Sequence, residues 1–435
     1  MTIESRIRSK MMAVLSSKRL INWQKGRARY LRLFRVEKPK VYYFHQANDP
    51  YSHLTIQKLA DLKSRYQVEF EVHLVGDTED VFKGDIAKFD TWARRDAKSI
   101  ACYFNSTFPA TSKPSSHEIE VANGLLATCM GEPDFPSRAI QIGEKLWAGQ
   151  LGEETPTESR LVCQKGNRVR KRLGHYLGAT FYFEGEWFWS VDRLHLLEKR
   201  LQEEGFGSGD YICPLPRIED FESYCPSSKN GHSEIVLEYF PSLRSPYSAI
   251  GHTRVLALVE KTGVQLILRP VMPMMMRGVP APLLKQQYIM SDSGREARHY
   301  DVAFGPFCDP FGEPVKKAFA AYHCASEQGI GLNFVTEFLK ASFAEGLNIC
   351  SKEGLGIVCQ RAGFDINEID PSANWGKVLD ENLSAMAEGS LWGVPSFRVS
   401  GGNAETSYCC WGQDRIWRVA AEIEKRSIAV EVNAS

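Results

Sequence analysis

Val41-Tyr-Tyr-Phe-His-Gln-Ala-Asn-Asp-Pro-Tyr-Ser52 decides the fold, because this segment returns 196 positions later as Leu237-Glu-Tyr-Phe-Pro-Ser-Leu-Arg-Ser-Pro-Tyr-Ser248. Both copies begin with a short apolar run, pass through a turn that contains a proline, and lead into an amphipathic stretch typical of a helix. A second apolar run follows at 68–74 and again at 264–268. Each copy therefore predicts a strand–helix–strand unit whose two strands pair in parallel.

The two copies also end in similar ways. Residues 178–183 and 189–193 read Gly-Ala-Thr-Phe-Tyr-Phe and Trp-Ser-Val-Asp-Arg, whereas 394–399 and 411–415 read Val-Pro-Ser-Phe-Arg-Val and Trp-Gly-Gln-Asp-Arg. Each end predicts a hairpin followed by a closing helix, and a long stretch with helical patterning separates it from the strand–helix–strand unit. The chain is therefore predicted to be α/β, with two tandem domains that each carry an inserted helical subdomain.

Composition narrows the class of protein. The 435 residues carry 53 basic and 53 acidic side chains, so no overall field favours nucleic acid. The eleven cysteines are irregularly spaced and form no CxxC motif, which favours reduced thiols in the cytoplasm over disulfides or a zinc site. We find no signal-peptide pattern, no run long enough for a transmembrane segment, and no nucleotide or metal motif, so no metal is expected.

Local composition divides the chain into four parts. Residues 1–37 form a basic arm that is compatible with an amphipathic helix, and 205–232 are rich in Gly, Pro, Ser and Asn, as linkers are. Between and after them lie the two domains, 38–204 and 233–428. A solvated helix packed on the first domain is the ordinary interpretation of the arm, and a surface that contacts anionic lipid or RNA is the alternative.

Three motifs in the second copy resemble a known family. They are Ser245-Pro-Tyr-Ser248 after a strand, Gly393-Val-Pro-Ser-Phe397, and Trp411-Gly-Gln-Asp-Arg415 before the last helix; Arg269-Pro270 fits the same pattern. Their order and spacing are similar to those of 2-hydroxychromene-2-carboxylate isomerases and kappa-class glutathione transferases, which belong to the DsbA-like thioredoxin superfamily. The resemblance covers nearly all of 233–428 and, in degenerate form, 38–204. It implies two thioredoxin-like domains.

The same resemblance implies a glutathione site in the second domain. Ser245 matches the serine that hydrogen-bonds the glutathione sulfur, and a helix N-terminus favours thiolate there. Pro395 matches the cis-proline of the fold, with Val394 pairing its backbone to the cysteinyl part of glutathione. The γ-glutamyl end is assigned to Gln413, Asp414 and Arg415. Serine at both 245 and 248 excludes dithiol exchange at this place.

Candidates for a substrate pocket are less specific. They are Tyr247, whose ring is next to the position of the sulfur, Arg269, and Arg298 on the helical insertion. The alternative for Tyr247 is packing beneath the helix, and the alternative for Arg298 is a surface ion pair. Residues 273–282 contain a run of three methionines where the family usually has an asparagine. That run predicts either an adaptable apolar pocket or a helix packed on the sheet. His252 is weighed as an acid–base group against a residue that faces away from the site.

The first copy departs further from the family pattern. Asp49 replaces the serine, and Ala179 replaces the proline. We therefore interpret this domain as structural or interfacial, with a different ligand held by His45, His53 and Asp49 as the alternative. The two copies are also candidates for pairing with each other within one chain.

These observations predict a glutathione-dependent isomerase or transferase that acts on a small conjugated or aromatic carboxylic substrate. Two alternatives stay open. One is a DsbA-type thiol–disulfide oxidoreductase, which the lack of CxxC disfavours. The other is a non-catalytic ligand-binding protein, which the degenerate first domain and the missing asparagine favour.

Overall fold

Two four-stranded sheets with the same strand order form the centres of the structure, a computed structural model that describes residues 2–109, 113–155, 157–221, 235–402 and 404–434. In each sheet the first strand lies between a parallel partner and an antiparallel one, and an antiparallel edge strand follows. The described residues divide into a first unit, 21–216 with 282–285, and a second unit, 1–20 with 217–281 and 286–435. The predicted fold class, α/β with two thioredoxin-like domains, is confirmed.

The first unit is built on the sheet β2-β1-β3-β4. Five helices are inserted between its second and third strands. Two helices precede its first strand, α1 Ile3–Ser16 and α2 Lys18–Phe34, of which α1 belongs to the second unit. The elements that follow are: β1 Lys40–Gln46, α3 Pro50–Arg65, β2 Glu69–Val75, α4 Asp80–Lys83, α5 Ile86–Ile100, α6 Ser116–Cys129, α7 Phe135–Trp147, α8 Arg160–Leu173, β3 Thr180–Phe183, β4 Glu186–Trp189 and α9 Ser190–Glu203.

The second unit repeats this order on the sheet β6-β5-β7-β8. Its elements are: β5 Ile235–Phe240, α10 Pro246–Thr262, β6 Gln265–Leu268, α11 Leu283–His299, α12 Glu313–Glu327, α13 Gly331–Lys340, α14 Lys352–Ala362, α15 Trp375–Glu388, β7 Ser396–Gly401, β8 Tyr408–Trp411 and α16 Ile416–Ala434. The first three residues of α11 fall in the first unit. Aromatic and aliphatic side chains of the inserted helices, such as Phe334 and Phe338, form a core of their own.

Local sequence explains where the helix after each first strand begins. Pro50 and Pro246 occupy the first turn of α3 and α10, where a missing N–H costs no hydrogen bond. The residues before them, Asp49 and Ser245, are the N-caps. Gly263 ends α10 with φ of 64°, a conformation that glycine adopts without strain.

The basic arm differs from its prediction, because it is divided between the units. Residues 21–37 belong to the first unit, where Lys25 contacts Glu186 at 2.8 Å. Residues 1–20 belong to the second unit. There Ser5 donates to the backbone oxygen of Asp309 at 2.8 Å, and a side chain at Gly294 would lie 2.4 Å from the oxygen of Ser16. The expected packing of the whole arm on the first domain is therefore wrong for α1.

The predicted linker is also partly packed. The backbone oxygen of Phe206 accepts from Gln67 at 2.7 Å, and the N–H of Cys213 donates to Glu198 at 2.9 Å. Residues 205–216 thus form part of the first unit, and 222–232 lie outside the described residues, as does Cys225. Within the described ranges, no helix combines the length and apolarity that a membrane crossing needs.

Candidate functional site

Ser245 stands at the N-terminus of α10. Its side-chain oxygen accepts from the backbone N–H of Ser248 at 3.1 Å, so the hydroxyl is held over the first turn of the helix. Ser248 is buried, and its own hydroxyl accepts from the N–H of Ser242 at 3.1 Å, which fixes the loop that leads to the helix. Ser245 itself is partly exposed. A polar hydrogen is thereby presented beside the positive end of a seventeen-residue helix.

The peptide bond between Val394 and Pro395 is cis and lies at the same edge of the sheet as the Ser245 loop. Phe240, the last residue of β5, pairs with Ser396, the first residue of β7, so both connections leave the sheet side by side. The oxygen of Pro395 accepts from Gly412 at 2.8 Å. This places the turn that precedes α16 next to the cis peptide.

The three residues of that turn that were predicted to bind the γ-glutamyl end differ in exposure. Gln413 is fully buried, and its amide donates to Glu296 at 2.9 Å and to Asp414 at 2.6 Å while accepting from Arg254 at 2.5 Å. Arg415 is 2% exposed. Asp414 alone of the three is partly exposed. The side chains of Gln413 and Arg415 therefore support the turn, and Asp414 is the more accessible residue of the three.

The substrate-pocket candidates are used by the protein itself. Tyr247 donates its hydroxyl hydrogen to Asp292 at 2.8 Å. Arg269 donates to Glu238 at 2.6 Å, and Arg298 donates to the backbone oxygen of Ser16 at 2.8 Å, at the C-terminus of α1. Both guanidinium groups are thus engaged by oxygen atoms of the protein.

His252 lies in the core, away from the hydroxyl of Ser245. Its ring packs on Tyr239, and its Nε2 lies 2.8 Å from the hydroxyl of Thr336. Burial lowers the pKa of His252 to about 4, so the ring is neutral at physiological pH. The structure therefore favours the interpretation of His252 as a residue that faces away from the site.

In the first unit the residue at the corresponding position, Asp49, caps α3. It accepts from the N–H groups of Tyr51 at 3.2 Å and Ser52 at 3.1 Å, and burial raises its pKa to about 6. Ala179 corresponds to Pro395, since Thr180 pairs with Trp189 as Ser396 pairs with Trp411. It has φ of 52° and donates its N–H to the Ser52 hydroxyl at 2.9 Å.

A small cleft of about 60 Å³ opens at the same place in the first unit; its lining includes Asp49, Tyr51, Phe89, Trp147, Gly178 and Trp189. His45 and His53 are not part of this lining, and both are buried in the core. Burial lowers the pKa of His45 to about 3 and that of His53 to about 4. The alternative cluster of two histidines with Asp49 is therefore wrong, and Asp49 alone of the three lines the cleft.

Known proteins can now be compared with this geometry. Residues 236–424 match the family model of the DSBA-like thioredoxin domain. This range runs from β5 into α16 and contains Ser245, the cis peptide and the turn with Asp414. No curated protein matches the chain.

Several solved structures are similar to parts of the chain. A 2-hydroxychromene-2-carboxylate isomerase shares 18% identity, covers 46% of this chain and 99% of its own, and has a TM-score of 0.38. A probable DsbA oxidoreductase from Streptomyces coelicolor shares 17%, over 43% and 89%, with a TM-score of 0.34. The cytosolic disulfide reductase DsbM from Pseudomonas aeruginosa, solved with GSH, shares 18%, over 44% and 99%, with a TM-score of 0.33.

Sequence patterns missed an ion pair directly beside Ser245. Arg244 donates to the fully buried carboxylate of Asp309 at 2.6 Å and stacks on Phe311, with 4.6 Å from its guanidinium carbon to the ring centre. Arg8 of α1 binds the same carboxylate at 2.7 Å. Nothing in the sequence signals a contact between positions 8, 244 and 309, since no local spacing relates them.

A second missed residue, Arg277, supports the cis peptide. Its guanidinium donates to the backbone oxygens of Met272 and Trp392, both at 2.9 Å, and so joins the loop after β6 to the residues before Val394. The methionine run itself forms a single 3-10 turn, Met274–Arg277. Met275 lies 3.4 Å from the guanidinium of Arg244, whereas Met276 packs on the helical core. The packing interpretation thus applies to Met276, which packs on the helical core, and the adaptable apolar pocket stays a prediction.

Gly393 leaves room for an indole. A side chain there would lie 2.0 Å from the ring of Trp411, which is why the residue before Val394 has none. Among the residues that the structure describes, no group of three His, Cys, Asp or Glu side chains is arranged to hold a metal ion.

Proposed function

We propose that the second unit binds glutathione and that the chain is a glutathione-dependent isomerase or transferase acting on a conjugated or aromatic substrate in the cytoplasm. The observation that carries the proposal is the position of the Ser245 hydroxyl, at the N-terminus of α10 and at the same sheet edge as the cis Val394–Pro395 peptide.

The N-terminus of α10 is suited to a bound thiolate rather than a neutral thiol. The hydroxyl oxygen of Ser245 already accepts from Ser248, so its own hydrogen is left for a second partner. The first turn of α10 adds the positive end of the helix dipole, which lowers the pKa of a nearby thiol. Serine supplies this hydrogen bond without competing as a nucleophile.

The peptide part of glutathione meets two further groups. The backbone of Val394, next to the cis bond, is suited to pair with the cysteinyl amide. The partly exposed carboxylate of Asp414 is suited to the γ-glutamyl ammonium group, a charge-assisted contact. Gln413 and Arg415 act indirectly in this proposal, since both are buried and Gln413 donates to Asp414.

Bound glutathione supplies a thiolate nucleophile that is able to add to a conjugated carbon. The protein keeps that thiolate ionised through Ser245 and orients the tripeptide through Val394 and Asp414. Arg269 and Arg298 do not enter this scheme, because each guanidinium donates to a protein oxygen. The proposal therefore retains a conjugated or aromatic substrate and assigns no residue to a substrate carboxylate.

Calorimetry with reduced glutathione tests the proposal, with ultraviolet absorbance of the bound thiolate followed in parallel. The wild type is expected to bind in the millimolar range with a thiolate signal, and Ser245→Ala is expected to lose that signal. Ser351→Ala is the matched control, because Ser351 caps α14 in the same unit by accepting from Gly354 at 3.1 Å. Each substitution removes a helix cap worth about 1 kcal/mol.

Two results contradict the proposal in different ways. If neither the wild type nor the control binds glutathione, the site does not serve this ligand. If both bind but no electrophile in a broad panel is isomerised or conjugated, the second unit is a glutathione-binding domain without catalysis.

A further inference from the structure

Two cysteines lie in contact within the helical part of the second unit, far apart in sequence. The sulfur atoms of Cys308, between α11 and α12, and Cys350, just before α14, are 3.7 Å apart. Cys308 is held firmly, since its N–H donates to Ser342 at 2.9 Å and its oxygen accepts from the Ser342 hydroxyl at 2.8 Å. All ten cysteines that the structure describes are free thiols.

The two thiols differ in environment. Cys308 is completely buried, whereas Cys350 is partly exposed. The thiol of Cys308 and the hydroxyl of Ser5 both hydrogen-bond the sulfur of Cys350, and they lower the pKa of Cys350 to about 7. The same contact, together with burial, raises the pKa of Cys308. One thiol is therefore suited to attack and the other to remain protonated until a later step.

We propose that Cys308 and Cys350 form a redox-active dithiol, which a small disulfide converts into an intramolecular disulfide. This inference does not depend on the glutathione site. In thioredoxin-fold proteins with a dithiol, the two cysteines lie at the start of the helix after the first strand, whereas Cys308 and Cys350 lie elsewhere. No residue of the Ser245 site takes part.

The exchange balances in two steps. The thiolate of Cys350 attacks one sulfur of a disulfide R–S–S–R, forming a mixed disulfide and releasing one R–S⁻, which takes up the proton lost from Cys350. The thiol of Cys308 then loses its proton and attacks the sulfur of Cys350, which forms the internal bond and releases the second R–SH. Two protein thiols are oxidised and one small disulfide is reduced to two thiols.

Geometry allows the second step over a short movement. A disulfide bond requires the sulfur atoms to approach from 3.7 Å to roughly 2 Å. Another pair of thiols in the same helical core is less suited, since burial raises the pKa of Cys359 to about 12 and that of Cys324 as well.

Incubation of the reduced full chain with bis(2-hydroxyethyl) disulfide tests the proposal without using glutathione recognition. Mass spectrometry of peptides is expected to find a Cys308–Cys350 link in the wild type and in Cys102→Ser, which removes an exposed thiol of the first unit. Cys308→Ser is expected to accumulate the mixed disulfide at Cys350, and Cys350→Ser to form no link. Circular dichroism verifies that each variant is folded.

The rate gives a second readout. At pH 7 a thiol with a pKa near 7 is expected to react roughly threefold faster than an unperturbed one, after the loss of nucleophilicity is included. Alkylation of Cys350 in the wild type is therefore compared with its alkylation in Cys308→Ala, which lacks the hydrogen bond from Cys308. A wild type that stops at the mixed disulfide, or a Cys350 that is alkylated no faster in the wild type than in Cys308→Ala, overturns the proposal.

Discussion

The hydroxyl of Tyr247 donates to the carboxylate of Asp292 over 2.8 Å, and this bond ties the start of α10 to the inserted helix α11. The first unit contains the same bond 196 positions earlier, between Tyr51 and Asp96 over 2.6 Å. Both aspartates are at least 96% buried. In each unit, therefore, one tyrosine joins the βαβ frame to the helical insertion through a buried carboxylate.

We expect Tyr247→Phe and Tyr51→Phe each to destabilise their unit by about 1–2 kcal/mol, because a buried carboxylate loses a donor while the packing of the ring is kept. Thermal and urea unfolding measure the effect. Tyr30→Phe is the control, since Tyr30 is 67% exposed, and its expected change is close to zero. Equal unfolding midpoints for all three variants would show that the bond has no energetic role.

Ala179 provides a test of why the first copy lacks the family proline. Ala179→Pro is expected to destabilise the first unit by roughly 3 kcal/mol or more, because proline cannot adopt φ of 52° and cannot donate the N–H that Ser52 accepts. Ala179→Gly is expected to be neutral or stabilising by up to about 1 kcal/mol, since glycine adopts positive φ without strain. Unfolding of the two variants is compared with the wild type.

We expect the Ala179→Gly variant to be at least as stable as the wild type, and the Ala179→Pro variant to be much less stable than either. A stable Ala179→Pro protein would mean that the loop before β3 rearranges freely, so that the positive φ is not required by the surrounding structure.

The sequence predicted the frame of both units and the start of each first helix. The repeat of Tyr43, Phe44 and the Pro-Tyr-Ser segment defines strand, turn and helix, because period and cap residues act locally. Asp96 and Asp292 are also separated by 196 positions, so the sequence contains this match. No local pattern, however, relates either aspartate to the tyrosine 45 residues before it. The contact of Arg244 with Asp309 has no such signal, since tertiary ion pairs leave no periodicity.

The candidate site was predicted only in part. The motifs located Ser245 and the cis peptide correctly in the fold, because both are set by the backbone. They did not distinguish Asp414, which is partly exposed, from Gln413 and Arg415, which are buried. Neighbouring residues in a turn point in different directions, and composition does not reveal which of them is exposed.

His252 predicts a loss of stability in acid. Burial lowers the pKa of the folded ring to about 4 from the ordinary 6.5, so the folded protein prefers the neutral form. This contribution to stability is fully present above pH 6.5 and is lost as the pH falls towards 4. Between pH 7.5 and pH 5 the wild type is expected to lose about 2 kcal/mol that His252→Phe does not lose.

Urea unfolding of both proteins at the two pH values measures this difference. Phenylalanine keeps a ring against Tyr239, so the comparison reports mainly on protonation. The lost bond to Thr336 lowers the free energy of unfolding by the same amount at both pH values. Parallel pH dependence in the two proteins would show that His252 titrates normally.

Substitutions at Asp414 and Gln413 are expected to have different effects, the first on glutathione affinity and the second on the stability of the fold. In the proposed site, Asp414→Asn removes the charge assigned to the γ-glutamyl ammonium group, and it is expected to weaken glutathione binding by about 1.5–3 kcal/mol with little change in unfolding. Gln413→Leu leaves Glu296 and Arg254 without their shared amide and is expected to cost about 1–3 kcal/mol of stability. Calorimetry and unfolding are measured on both variants, and an unchanged affinity in folded Asp414→Asn would remove Asp414 from the proposed site.

The contact between α1 and Asp309 has a consequence for the order in which the chain is made. Ser5 and its backbone acceptor at Asp309 are separated by 304 positions, so a ribosome finishes the first unit before the partner of α1 exists. Helix α1 is thus synthesised well before the rest of its own unit. Throughout that interval Ser5 and Ser9 lack the backbone groups of Asp309 that they contact in the folded chain, and docking of α1 closes a loop of 304 positions.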